Sequence, residues 1–313
     1  MLVRAWFLIL ASSPFLAWAQ GPIETRNHQA ASLAFLRLDP RGDLLPTGEQ
    51  ALSLNLSVAN SLRFQGVDRE DQETQRLTLR YRRGISRGEW SFDVPIQARN
   101  GGFMDPFIAS FHDLVGIHNF RGSIPYGRVE ESLGASGSYG SAIGLGDVVA
   151  SFSKPVGPQT FWTAALKLPT GNAEELLGSG GVDLGASIYS RWKLGPRWSL
   201  FGQAGLVLQG RPAKLRNART LIDQESLSIA YRVNSRDSWT FQWQSEPSSI
   251  DTGNAFFDGP HRQLSLGFTR RVGAQDNLQL YFNEDGDFLN FSVPELVNIA
   301  PDFTIGVNWT RRW

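Results

Sequence analysis

The chain ends in FTIGVNWTRRW, residues 303–313, and this stretch decides the fold. Successive side chains of a β-strand point to opposite faces, so the alternation puts apolar and aromatic residues on one face and small or polar residues on the other. Such a strand, apolar outside and polar inside, is typical of a membrane β-barrel. The alternative is a half-buried edge strand of a soluble sandwich, and Arg311 interrupts the apolar face.

The same alternation recurs along the chain. In residues 50–60, for example, Leu52, Leu54 and Leu56 share one face and polar residues such as Ser53 share the other. We count twelve such strands, and an even number of strands is typical of single-chain bacterial barrels. The predicted fold class is all-β, a transmembrane antiparallel β-barrel of about twelve strands. The strands are centred on residues 50–60, 75–82, 89–98, 148–152, 162–168, 182–192, 198–208, 227–233, 239–243, 264–268, 278–282 and 303–313.

The connections alternate between short and long, which is the arrangement of periplasmic turns and extracellular loops in outer-membrane barrels. The short ones are residues 83–88, 155–158, 194–197, 234–237 and 272–276, and the long ones are residues 61–74, 99–144, 169–181, 210–224, 246–261 and 283–301. An aromatic girdle is expected at the membrane boundary. The tryptophans at the short-turn end fit such a girdle: Trp90, Trp162, Trp192, Trp198, Trp239, Trp309 and Trp313.

Residues 1–19 predict a cleavable secretory signal peptide and hence export, which together with the barrel pattern implies a Gram-negative outer membrane. They carry a positive charge at Arg4, an apolar run, and Ala17-Trp18-Ala19 before Gln20. A transmembrane anchor is the alternative, but the apolar stretch is too short to span a bilayer. The chain has no cysteine, which excludes a lipoprotein anchor, disulfides and thiolate metal sites.

The composition is compatible with a barrel, although 41% hydrophobic residues and a mean hydropathy of -0.23 also suit a soluble protein. The formal net charge of +0 gives no reason to expect nucleic-acid binding. The expected domains are a periplasmic or lumenal segment, residues 20–49, and a β-barrel, residues 50–313. We expect a monomer without a cofactor.

Several motifs give the chain a family resemblance. They include Gly101-Gly-Phe-Met-Asp-Pro-Phe-Ile108, Gly144-Leu-Gly-Asp147 and Leu166-Lys-Leu-Pro-Thr-Gly171. Over nearly its whole mature length the chain resembles an uncharacterised family of proteobacterial outer-membrane proteins, known as a domain of unknown function. Residues 144–210 are more distantly similar to outer-membrane barrels associated with aromatic-compound degradation. The resemblance implies a barrel in the cell outer membrane and carries no catalytic or binding residues.

The C-terminus also resembles the assembly signal of bacterial outer-membrane barrels, which has a terminal aromatic residue and apolar residues at every second position before it. Val307, Trp309 and Trp313 match that pattern, and Arg311 departs from it. Near a membrane boundary the long side chain of an arginine can reach the interface. The resemblance implies outer-membrane lipids and the barrel-assembly machinery as partners.

A barrel of twelve strands should enclose a narrow lumen, because eight strands are filled by side chains and sixteen leave an aqueous channel. Arg76, Arg80 and Arg82 on one strand form the best candidate for an anion-attracting stripe. Pairing of opposite charges across the interior is the alternative for each charged residue. The full set of lumen candidates is Arg76, Arg80, Arg82, Asp93, Asp147, Lys167, Asp183, Tyr189, Arg191 and Arg232.

Two segments are candidates for closing the lumen. Residues 21–49 are long enough to fold back inside as a plug. In the longest loop, Phe107, Phe111 and Leu114 recur at helical spacing after Asp105-Pro106, which predicts a short helix over residues 106–115. This helix is expected to fold over or into the barrel mouth, where its apolar face either lines a solute entry site or packs as a lid.

The preferred function is a porin-like transport channel or facilitator for a small solute. The alternatives are an outer-membrane enzyme with a site in the loops and a structural or adhesive surface barrel. The four histidines, His28, His112, His118 and His261, do not form a hydrolase or metal motif in sequence. We therefore expect no enzymatic activity, catalytic residue or metal site.

Overall fold

A computed structural model describes residues 21–65, 68–116, 121–253, 258–285 and 303–313; the predicted signal peptide lies outside these residues. The principal elements, in chain order, are α1 Ala30–Leu33, β1 Gln50–Gln65, β2 Asp68–Ile85, β3 Gly88–Asn100, α2 Asp105–Val115, β4 Glu130–Leu133, β5 Ser138–Tyr139, β6 Ala142–Leu145, β7 Val148–Gly157, β8 Thr160–Leu168, β9 Asp183–Lys193, β10 Trp198–Leu208, β11 Leu221–Arg232, β12 Asp237–Glu246, β13 His261–Arg271, β14 Asp276–Asp285 and β15 Phe303–Arg312. Within the described ranges, no helix has the length and apolar character needed to cross a membrane.

Twelve long strands form a closed antiparallel β-barrel, which confirms the predicted fold class. The barrel closes where the C-terminal strand β15 pairs with β1, for example Leu54 opposite Trp309. Strands β1, β2 and β3 continue directly to β7, and the later strands follow in chain order. The short strands β4 and β6 pair with the long-loop ends of β2 and β3. Every barrel strand is therefore hydrogen bonded on both sides.

The two faces of the wall match the alternation in the sequence. Leu56 and Leu79 point outward and are exposed, whereas Ser53 and Ser57 point inward and are buried. Aromatic residues gather outside at the short-turn end, where the rings of Trp198 and Tyr231 lie 4.6 Å apart and those of Trp239 and Phe268 5.0 Å apart. The exterior of the barrel is thus apolar, and its interior is polar.

The expected long loop at residues 61–74 was wrong. Here β1 and β2 continue as a paired ladder, with Leu62 opposite Asp71 and Arg63 opposite Glu70. Arg63 and Glu70 also form an ion pair of 2.8 Å. The apolar alternation stops where the outward face becomes polar, but backbone pairing continues because it does not depend on that alternation.

The predicted loop helix is confirmed as α2, but its expected place was wrong. It does not cover the barrel mouth. It lies against the outer wall, where Asp105 accepts a hydrogen bond from outward-facing Asn60 at 2.9 Å. Phe107 and Leu114, expected to line or close the mouth, are 58% and 83% exposed. The reason is that Asn60 and Glu73 on the outer wall need hydrogen-bond partners. The first turn of the helix and the residue before it supply these partners through Asp105 and Met104.

Candidate functional site: the barrel lumen

Residues 21–49 run inside the barrel and fill it along its length. The segment starts beside Thr240 near the short-turn end, where the Thr240 hydroxyl donates to the carbonyl of Gly21 at 3.0 Å. It rises to α1 at the long-loop end and then returns to Gln50, where β1 begins. On the way down, Leu36 donates its backbone N–H to Asp183 at 2.8 Å. We call residues 21–49 the lumen segment.

Glutamines on the inner wall hold the backbone of the lumen segment. The amide of Gln242 binds both backbone groups of Ile23, accepting at 2.8 Å and donating at 2.8 Å. Gln224 makes a similar pair of contacts, accepting from the N–H of Leu38 at 3.0 Å and donating to the carbonyl of Leu36 at 3.3 Å. The wall thus supplies the hydrogen bonds that a neighbouring strand would otherwise give, so this irregular backbone is satisfied inside a barrel.

Arg80 is the central cation of the lumen. Its guanidinium contacts Glu24 at 2.8 Å and Asp39 at 2.5 Å, both on the lumen segment, and Asp93 on the wall at 2.7 Å. Burial would raise the pKa of Asp39, but Arg80 and Arg26 outweigh burial and lower that pKa. The predicted anion-attracting residue Arg80 is therefore neutralised by carboxylates.

A second network lies closer to the short-turn end. Asp43 of the lumen segment contacts Arg312 of the terminal strand at 2.9 Å and Arg82 at 3.6 Å. Arg82 also donates to Glu89 at 2.8 Å, and Arg41 pairs with the same Glu89. Burial would raise the pKa of Asp43, but Arg312 and Arg82 outweigh it and lower the pKa. Two of the three predicted stripe arginines thus fasten the lumen segment.

The long-loop end is closed by apolar packing around α1. Ala31, Ala34 and Phe35 form a buried cluster with apolar residues from four different outer segments. These residues are Leu133, Leu176, Leu215 and Ile250. Of the two segments that were candidates for closing the lumen, residues 21–49 lie inside it and close it through α1 and its neighbours, whereas α2 does not.

Lys167 anchors this closure to the wall. Its ammonium group pairs with Asp147, lies 3.4 Å from Asp183 and donates to the carbonyl of Ala34 at 3.1 Å. Asp147 also accepts from the backbone N–H of Gly171 at 2.9 Å. The structure brings these three predicted lumen residues together, but it places them in a buried charge cluster.

A small cavity of about 20 Å³ remains between the lumen segment and β1, β2 and β14. It is lined by Arg76, whose Nε donates to Thr78 at 3.1 Å; among the described residues no carboxylate forms an ion pair with Arg76. His28 also lines this cavity, and its Nε2 lies 2.6 Å from the hydroxyl of Ser57. A volume of this size holds about one water molecule.

The environment keeps His28 neutral. Burial, reinforced by the nearby Arg76 and Arg26, lowers the pKa of His28 to about 3. Its Nδ1 lies 2.8 Å from the carbonyl of Arg26, which can only accept, so Nδ1 carries the proton and Nε2 accepts from Ser57. This is the geometry of a serine activated by a histidine, yet the cavity has no room for an acyl substrate.

The remaining predicted lumen residues lie apart from this cavity. Tyr189 is buried, donates to the carbonyl of Asp39 at 3.2 Å and stacks on Phe161 at 4.8 Å. Arg191 lies over the ring of Phe201 at 5.4 Å, and Arg232 donates to a turn carbonyl at the short-turn end. Sequence analysis missed the glutamines and Ser57. Their inward position in the alternation was a usable signal.

An open cavity of about 900 Å³ lies outside the closure, along residues 209–220. It is lined by the basic residues Arg211, Lys214, Arg216 and Arg219. Lys214 pairs with Glu174 at 2.8 Å, in an exposed contact. The long-loop end therefore has a positively charged rim above the apolar closure.

Comparison with protein families identifies one matching family profile. The profile described as a protein of unknown function, DUF3187, matches residues 1–313. The chain belongs to the DUF3187 family. This confirms the family resemblance seen in the sequence motifs. No curated protein matches the chain.

Solved structures similar to this DUF3187 protein include outer-membrane barrels. The COG4313 outer membrane channel from Pseudomonas putida F1 has a TM-score of 0.57 at 15% identity, covering 88% of this chain and all (100%) of that chain. The NanC porin has a TM-score of 0.46 at 7% identity, covering 83% and 98%. The P. putida toluene transporter TodX has a TM-score of 0.41 at 12% identity, covering 92% and 93%. The first likeness shows the shared fold.

Proposed function

We propose that this protein is an outer-membrane channel or facilitator for a small solute, and that the lumen segment keeps it closed. The observation that carries the proposal is that the lumen is filled by a separate stretch of chain and not by the side chains of the wall. The stretch is held by polar contacts such as Arg80 with Asp39 and Gln242 with Ile23. These polar contacts can be exchanged for water, and every barrel strand is paired with its neighbours independently of the segment, so we propose that the segment leaves the lumen while the barrel stays folded.

The outer membrane is the proposed location because the exterior is apolar and the interior polar, as in transmembrane barrels. The signal peptide at residues 1–19 would direct export, and Val307, Trp309 and Trp313 would be read by the barrel-assembly machinery. We propose that the protein acts as a monomer in contact with outer-membrane lipids. Fractionation tests the location: the mature chain, starting at Gln20, should appear in the outer-membrane fraction with heat-dependent mobility on a gel.

We propose transport and not catalysis as the activity. The His28 and Ser57 pair lies in a cavity too small for a substrate. Liposome swelling with a graded series of neutral, anionic and cationic solutes tests the channel directly. Flux that depends on solute size and charge is expected once residues 22–45 are deleted, and adding Ser57→Ala to that deletion, where Ser57 has lost its contact with His28, should leave the flux unchanged. Hydrolysis of an ester that disappears in Ser57→Ala and in His28→Gln would favour an enzyme instead.

Acid should open the channel through His28. In place, its pKa is about 3, whereas a solvated histidine has a pKa of about 6.5. Between these values the released segment binds more protons than the bound one, so lowering the pH favours release, by about 30-fold at pH 5 relative to neutral pH. The lowered pKa values of Asp39 and Asp43 act in the same direction at lower pH.

The measurement is open probability in planar bilayers from pH 7.5 to 4.5. The charged or titratable groups acting on His28 are Arg76 on β2, Arg26 on the lumen segment and His261 on β13. The matched control is His28→Gln, which lacks this titrating ring and should show a weaker response between pH 6.5 and 5, with any remainder due to the second buried histidine, His261. An equal slope in this variant and the wild type would contradict the assignment to His28.

A further inference from the structure

Helix α2 is fastened to the outside of the barrel wall. Asn60 on β1 and Glu73 on β2 face outward and stand opposite each other in the ladder. Both are buried, at 3% and 0% exposure, because α2 and the turn before it cover them. Asn60 donates to Asp105 at 2.9 Å, and Glu73 accepts from the backbone N–H of Met104.

An arginine completes this attachment. Arg121 contacts Asp105 at 2.6 Å and outward-facing Asp71 at 2.9 Å, and all three side chains are buried. Asp105 also accepts from the backbone N–H of Gly127 at 2.9 Å. Charged groups buried and paired in this way hold one arrangement, because separating them leaves a charge without a partner. The orientation of α2 on the wall is therefore fixed.

With one residue every 100° around the axis, the helix presents three different sides. Asp105, Ile108 and Ala109 are buried against the wall. Ser110 and Asp113 form an exposed polar side. The third side is apolar yet exposed: Phe107 is 58% exposed and Leu114 is 83% exposed. Phe103, just before the helix, extends this surface and is 69% exposed.

The apolar side of α2 continues the apolar exterior of the barrel. The ring of Phe107 meets the ring of Phe303 edge-on at 5.7 Å, and Phe303 packs on Phe282 at 4.7 Å. Phe303 is outward-facing on β15, directly followed on that face by Ile305, which is 40% exposed. Phe303 stands opposite Asn60, so α2 sits at the upper edge of the apolar band.

We infer that α2 is an interfacial helix whose apolar side lies among the acyl chains of the outer leaflet, while its polar side faces water. The inference rests on the outer-membrane location proposed above. A helix with one apolar and one polar side, placed at a membrane boundary, buries the first in the acyl region and keeps the second wet. The charge cluster of Asp105, Arg121 and Asp71 sets its depth and rotation.

Spin labelling tests this, because the chain has no native cysteine. Single cysteines carrying a nitroxide replace Phe107, Leu114, Asp113 and, as a control on the barrel wall, Leu56. Each variant is reconstituted into vesicles of phosphatidylethanolamine and phosphatidylglycerol, and folding is checked by heat-dependent gel mobility. Collisions of the label with oxygen, which concentrates among acyl chains, are compared with collisions with a water-soluble nickel chelate.

At Phe107→Cys and Leu114→Cys, oxygen collisions should dominate as at Leu56→Cys, whereas nickel collisions should dominate at Asp113→Cys. Nickel collisions at Leu114→Cys equal to those at Asp113→Cys would overturn the inference. So would protection of Phe107→Cys and Leu114→Cys from both reagents, which would indicate a protein partner or a second copy. Nickel access at Leu56→Cys would instead overturn the proposed membrane location.

Discussion

Deletion of residues 22–45 is expected to convert a closed barrel into an open channel. The segment occupies the lumen along its length and forms the apolar closure at the long-loop end. A barrel of twelve strands is wider than one filled by its own side chains, so removing the segment leaves an aqueous path. Single-channel conductance in planar bilayers should rise by about tenfold or more over the full chain. A deletion variant that folds, shown by heat-dependent mobility, but conducts no more than the full chain would contradict the channel function.

The same variant should prefer anions. The deletion removes three acidic and three basic residues, so the preference has to come from the wall. There Arg80 loses Glu24 and Asp39, and Arg82 and Arg312 lose Asp43. Pore-lining charge then selects by sign, and the reversal potential in a salt gradient should shift toward that of the anion. Adding Arg80→Gln to the deletion should reduce this shift. Adding Arg311→Gln, which removes an outward-facing charge, is the matched control and should leave it unchanged.

Arg80→Met is expected to release the lumen segment in the full-length chain. The substitution leaves Glu24, Asp39 and Asp93, all half-buried inside the barrel, without their shared cation. Removing one partner from a buried charge group typically costs about 3 to 5 kcal/mol. Two of the three carboxylates escape this cost when the segment leaves the barrel, so its release should increase by about a hundredfold or more. The measurement is the rate of limited trypsin cleavage at Arg37 and Arg41, together with open probability.

Two variants separate this effect from general damage. Combining Arg80→Met with Asp39→Asn and Glu24→Gln removes the two uncompensated charges on the lumen segment and should restore much of the closed population. Arg311→Met removes an exposed cation that lies 3.8 Å from Asp276 and should change stability by less than about 0.5 kcal/mol. If trypsin cleaves the Arg80→Met variant no faster than the wild type, the Arg80 network does not hold the lumen segment.

The barrel itself was predictable because its signal is local. Outward residues such as Leu54 and Trp309 and inward residues such as Ser53 and Asn308 follow a two-residue period that can be read without knowing the partner strand. The even strand count agreed with a bacterial barrel, and the structure closes that barrel by pairing β1 with β15. The loop helix was also recognisable, because Phe107, Phe111 and Leu114 repeat at helical spacing.

The position of that helix was not predictable. Asn60 and Glu73 occupy outward positions of the wall, where their polar side chains need hydrogen-bond partners. Nothing near them in the chain indicated that the segment around Asp105 would provide these partners. The same holds for Arg80, because two of its carboxylate partners lie 15 residues apart in the lumen segment and the third lies on β3. A stripe of arginines in one strand states only that there is positive charge inside, and not what neutralises it.

The sequence by itself determined the strand alternation, the number of strands and the apolar ending at Trp309 and Trp313, because each depends on neighbours within one strand. Only the tertiary structure decided which of the two candidate segments closes the lumen, through which contacts, and which side of α2 meets the wall. Those outcomes depend on charges and backbone groups far apart in the chain that must find partners in a confined interior. The terminal strand illustrates the difference. Its outward face could be predicted from residues 303–313 alone, whereas the role of Arg312 depends on its contact with Asp43 in the folded barrel.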